Sequence, residues 1–172
     1  MDHFASYKRF AGALGALAVT AACALAQQAP PTTAQTLKQF FEGVNKQILD
    51  MAEDFPAEKY DFRLKPEMRS FGEVIVHVVG GNVYVAKAGR GEKAKWDELD
   101  PKNYKTKAEI VALLKKSIDD ANATLQANPE GYQNNIRPWL GVIEHSAEHY
   151  GLLVAYYRAN GIVPPESRPK SK

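Results

Sequence analysis

Three histidines carry most of the chemistry this sequence offers. His145 and His149 stand four residues apart in EHSAEHY, residues 144–150, and His77 stands far upstream in SFGEVIVHVVGGNVY. Imidazole titrates near neutral pH and is the commonest protein ligand to metal ions. Positions i and i+4 of a helix are neighbours on one face, so His145 and His149 can converge on one ion. His77 adds a third nitrogen if its helix lies beside theirs. Three imidazoles leave coordination positions open, as a catalytic site does and a closed structural site does not. An ion held this way can activate water, polarise a substrate oxygen or bind a thiol. The opposing reading makes these residues core histidines satisfied by polar neighbours. Some partner is required in either case, because burying imidazoles without one costs on the order of a few kcal/mol.

The neighbouring residues narrow the chemistry. Val142, His145, His149, Leu152 and Tyr156 form a continuous three-four stripe, which puts both histidines on a core-facing side. Glu144 and Glu148 lie about 100° around the helix, towards its margin, so neither is a ready general base. His145-Ser146-Ala147-Glu148-His149 fits the inverted zinc-protease pattern, but that site needs a glutamate ligand well downstream, and only Glu166 follows. A di-iron bundle needs Glu-x-x-His pairs, and none of these histidines has a glutamate three residues before it. Glu73, four residues before His77, is placed to cap its helix. Asn82, Tyr84, Trp139 and Tyr156 are candidates to line a pocket, with core packing or support of the ligands as the competing role.

Four helical segments must position these residues. Leu37, Phe40, Phe41, Val44, Ile48 and Met51 share one face of the first, which Pro56 ends. Ser70-Phe71-Gly72-Glu73 is a capping box opening the second, a segment apolar nearly all round, whose Val and Ile content alone would also suit a strand. Gly80-Gly81 predicts the close approach of another element. A long polar connection, Gly89 to Lys105, contains Trp96 and Pro101. Thr106 and Glu109 form a second capping box, and Ile110, Leu113, Leu114, Ser117, Ile118, Ala121 and Leu125 line the third helix up to Asn128-Pro129. The fourth opens at Pro138 and closes at Gly161, with Pro164-Pro165 preventing continuation. The pattern predicts an all-α, four-helix bundle over residues 34–162, and the long third connection predicts a crossover.

The rest of the chain bounds the function. Lys8 and Arg9 precede the apolar run FAGALGALAVTAACALA, and Ala24-Leu25-Ala26 matches a signal-peptidase site, so residues 1–26 read as a cleaved export signal. The mature protein is then expected to be periplasmic or secreted, without a stable membrane span. Residues 27–33 read as a linker and 163–172 as a disordered tail. Cleavage removes Cys23, the only cysteine, and His3, leaving no disulfide, thiolate or sulfur ligand. It leaves 20 basic and 19 acidic side chains, a balance that argues against a nucleic-acid partner.

With its single histidine in the second helix and its His-x-x-x-His pair in the fourth, the chain resembles the DinB superfamily over roughly residues 34–162. The resemblance implies an up-down-down-up bundle and a divalent ion, zinc or nickel, on His77, His145 and His149. It also implies a small-molecule substrate or ligand and frequent homodimers. The group is often labelled metal-dependent hydrolases; members with known chemistry include transferases and isomerases that use a low-molecular-weight thiol, and many others have no assigned reaction. An exported chain departs from the former, whose thiol cosubstrates belong to the cytosol. The expectation is a metal-dependent hydrolase or transferase; the alternative is a non-catalytic bundle that binds a metal or small ligand.

Overall fold

A computed structural model of the chain describes residues 30–96, 99–127 and 136–169. The expected export signal, residues 27–29 of the linker, the Asn128-Pro129 stop and residues 170–172 lie outside the described residues. The fold is all-helical: α1 is Thr33–Asp54, α2 Phe71–Gly89, α3 Lys107–Ala127 and α4 Arg137–Ala159, with no strand among the described residues. None of these helices is long and apolar enough to cross a membrane.

Local chemistry sets the helix ends. Ser70 Oγ accepts the Glu73 amide while Glu73 accepts the Ser70 amide, and Thr106 and Glu109 make the same exchange. A third such box, Thr32 with Gln35, opens α1. Gly161 follows α4 at φ 70°, the left-handed conformation its position requires. α2 is a helix despite its Val and Ile content because it is buried on nearly every side, between α3 and α4 and beneath the following connection.

Two apolar clusters fix the helix directions. One gathers Leu37 and Phe41 from the start of α1, Val85 and Ala86 from the end of α2, Ala121 and Leu125 from the end of α3, and Trp139 and Val142 from the start of α4. The other gathers the opposite ends, including Ile48, Met51, Phe71, Val74, Ile110, Leu114, Leu153 and Tyr157. The helices therefore run up, down, down and up. α1 packs on α3 and α4, and α2 packs on the same two from across the bundle. Because α2 and α3 are parallel neighbours, the chain between them must return along the bundle. An extended chain covers about 3.3 Å per residue against about 1.5 Å for a helix, so the segment 90–106 has ample reach. By Pro101–Asn103 it lies against the beginning of α2 again.

Between the two clusters the core is polar. Asn45, Asn82, Ser117 and Ser146, one from each helix, are all buried. Asn82 Nδ2 donates to Asn45 Oδ1 and to Ser117 Oγ, each at 3.1 Å; Asn45 donates on to the Phe41 carbonyl and Ser117 to that of Leu114.

Two details differ from the sequence reading. Phe40, expected on the apolar face of α1, is 63% exposed, since the packed stripe runs through Leu37, Phe41 and Ile48 instead. The stretch expected to be a disordered tail turns back through residues 165–167. There Arg168 grips Asp54 with both nitrogens, at 2.8 and 2.6 Å, and holds that carboxyl below its usual range.

Candidate metal centre

His77 on α2 faces His145 and His149 on α4 because those two helices are packed neighbours running in opposite directions. The three rings meet edge-on, with centroids 4.7, 4.8 and 4.3 Å apart. His145 Nε2 and His77 Nε2 are 2.9 Å apart, which requires one ring to donate and the other to accept. One ligand atom from each residue lies within 4.8 Å of the other two, and this is the sole metal-competent group among the described residues. Two nitrogens each about 2.0–2.1 Å from a tetrahedral ion stand roughly 3.4 Å apart. The 2.9 Å between His145 and His77, and the 4.8 Å within which all three ligand atoms lie, are of that order. All three residues are partly buried, so the triad is neither sealed in the core nor spread on the surface.

The electrostatics favour neutral ligands. Burial, reinforced by the adjoining imidazoles and by the positive charge of Arg69, pushes His145 down to about 4. Burial first, then His77 and the charge of Arg69, push His149 down to about 4. Neutral imidazole is the form that ligates a cation. His145 Nδ1 and His149 Nε2 are buried without a hydrogen-bond partner among the described residues. Neutral imidazoles whose nitrogens converge, with His149 Nε2 left without a hydrogen-bond partner among the described residues, suit a borderline-soft divalent ion.

The remaining candidates divide. Glu144 and Glu148 are exposed on the flank of α4, away from the triad. Glu73 is occupied by the Ser70 cap and by Arg63, whose Nη2 donates to it at 2.6 Å. Asn82 belongs to the polar core layer. Trp139 packs edge-on against Phe41 at 5.5 Å, within the apolar cluster at the start of α1 and α4. Tyr156 is buried against Phe62 and Phe71, and its hydroxyl donates to the Arg69 carbonyl. Of the four candidate lining residues only Tyr84 stands near the triad, and it does so through Trp96 of the α2–α3 connection. Trp96 lies tilted against Tyr84 at 5.0 Å and meets His145 edge-on at 4.9 Å. Its one sequence signal is a lone indole in the polar stretch RGEKAKW.

Comparison with known protein families matches residues 40–157, a span holding all three histidines, to the DinB superfamily. No curated protein matches the chain.

Proposed function

The chain belongs to the DinB superfamily, and on that premise we propose that it is a metal-dependent enzyme, hydrolytic or group-transferring, acting on a small molecule at His77, His145 and His149. The observation that carries this reading is the convergence of three partly exposed imidazoles from two helices. Zinc or nickel suits a donor set of three nitrogens. Such an ion, bound with positions open, supplies Lewis-acid activation of a substrate oxygen, of water or of a thiol. The protein's own part is to fix three donors on two packed helices, to keep His145 and His149 unprotonated at neutral pH, and to place the charge of Arg69 within range. That charge favours a substrate that is anionic or becomes so in reaction. The export signal read at residues 1–26 makes this a periplasmic or secreted activity.

A second reading, a bundle that binds a metal or small ligand without turnover, is favoured by one observation. No carboxylate is grouped with the triad among the described residues, so none of them stands beside it as a ready general base. An activity screen separates the two. Metal-loaded protein is assayed against esters, amides, phosphate esters and thiol-transfer substrates, beside a His145→Ala/His149→Ala double variant. The enzyme reading expects at least one reaction that disappears together with the bound metal. Bound metal with no turnover across the panel leaves the binding reading.

A further inference from the structure

The parallel placement of α2 and α3 sends the crossover back along the bundle, and it delivers Trp96 to the level of the histidines. Gly81, one helical turn beyond His77, receives it. A Cβ at Gly81 would stand 3.0 Å from Trp96 Cζ2, 3.3 Å from Cη2 and 3.4 Å from His145 Nδ1. The first of these contacts is at the limit that real side chains show, so the indole lies where it does because this residue carries only hydrogen. Tyr84 supports it from the same face of α2. Trp96 nevertheless remains 39% exposed. An indole in a polar crossover, fitted against a ligand histidine and left open on its remaining surface, is not completing the core.

We propose that Trp96, seated on Gly81 and backed by Tyr84, is the specificity-determining wall of the site, and that it selects ligands carrying a flat apolar or aromatic group beside their metal-binding atom. The inference rests on the metal-centre reading above. Its physical content is the burial of apolar area against an aromatic surface, with offset or edge-on stacking when the ligand is itself aromatic.

The test uses the Ni²⁺-loaded protein and two probes that share a chelating group, acetohydroxamate and benzohydroxamate, titrated calorimetrically. The preference for the aromatic probe in the wild type is expected to exceed that in Trp96→Ala by roughly 2- to 12-fold, the range that aromatic pairs are worth. Trp96→Phe is expected to retain part of the preference. Gly81→Ala, which displaces the indole without removing it, is expected to lose most of it. Ni²⁺ binding is followed in parallel by quenching of tryptophan emission, and the quenched fraction is expected to vanish in Trp96→Phe, where Trp139 alone remains. Normal Ni²⁺ uptake with the same probe preference in Trp96→Ala overturns the wall and leaves the metal centre standing. Failure of the wild type to take up Ni²⁺ overturns the metal centre, and the wall with it.

Discussion

His145 and His149 owe their low proton affinity first to burial and then to neighbouring imidazoles, His149 and His77 for the one and His77 for the other, and that has a measurable consequence. The folded protein holds both near 4 while an unfolded chain returns them to about 6.5. Between those values the unfolded state binds more protons, so the metal-free protein loses stability as pH falls from 6.5 towards 4. Below that window the contribution is gone; above it, it is fully present. Urea midpoints of the apo-protein across this range are expected to fall more steeply than those of a His145→Gln/His149→Gln variant, in which both titrations are absent. Parallel curves for the two proteins would contradict the assignment. The same neutrality keeps these two donors available in mild acid, where ordinary imidazoles are largely protonated. At this scale the sequence was readable where chemistry depends on residue type and helical spacing. The histidine pair and the outward turn of Glu144 and Glu148 follow from position on one helix. Trp96 was not readable, because its contact with His145 depends on the path of the crossover and on the missing side chain of Gly81, neither of which is local.

The helices themselves are capped and patterned strongly enough that their existence and approximate ends follow from the sequence. Ser70 with Glu73, Thr106 with Glu109 and the glycine at 161 all sit where local backbone chemistry demands them. What spacing does not reveal is the height of one helix against another, and the buried layer of Asn45, Asn82, Ser117 and Ser146 is a product of that height. Each polar residue interrupts an apolar stripe, and only the folded bundle shows that the interruptions coincide. The layer divides the core into its two clusters and penalises any slip, since shifting α2 by one turn would carry Asn82 away from Asn45 and Ser117 and into apolar surroundings. Asn82→Ala, which strips two donated hydrogen bonds from the layer, is expected to destabilise the protein by about 1–3 kcal/mol with an unchanged denaturant slope. A variant as stable as the wild type would mean that the layer does not hold the register. Phe40 shows the converse limit of periodicity. It lies at the edge of an apolar stripe, and packing against α3 and α4 alone decides that Phe41 goes in and Phe40 stays out.

At the scale of the whole molecule, topology produces the site. Up-down-down-up order sets α2 against α4 with opposite directions, which brings His77 to the pair on α4, and it obliges the α2–α3 connection to travel back over the triad. The bundle and its crossover could be anticipated from four periodic segments and one overlong connection, and residues 40–157 match the DinB superfamily accordingly. The reaction is harder to read, because three histidines on one bundle do not by themselves specify a substrate. Whether the triad holds one divalent ion is decided by X-ray absorption at the zinc or nickel edge of the loaded protein. One ion per chain is expected, with three imidazole nitrogens at about 2.0–2.1 Å, the distance for such ligands, and one imidazole fewer in His77→Ala. A protein that takes up no ion, or binds one with no imidazole in its coordination shell, would contradict it.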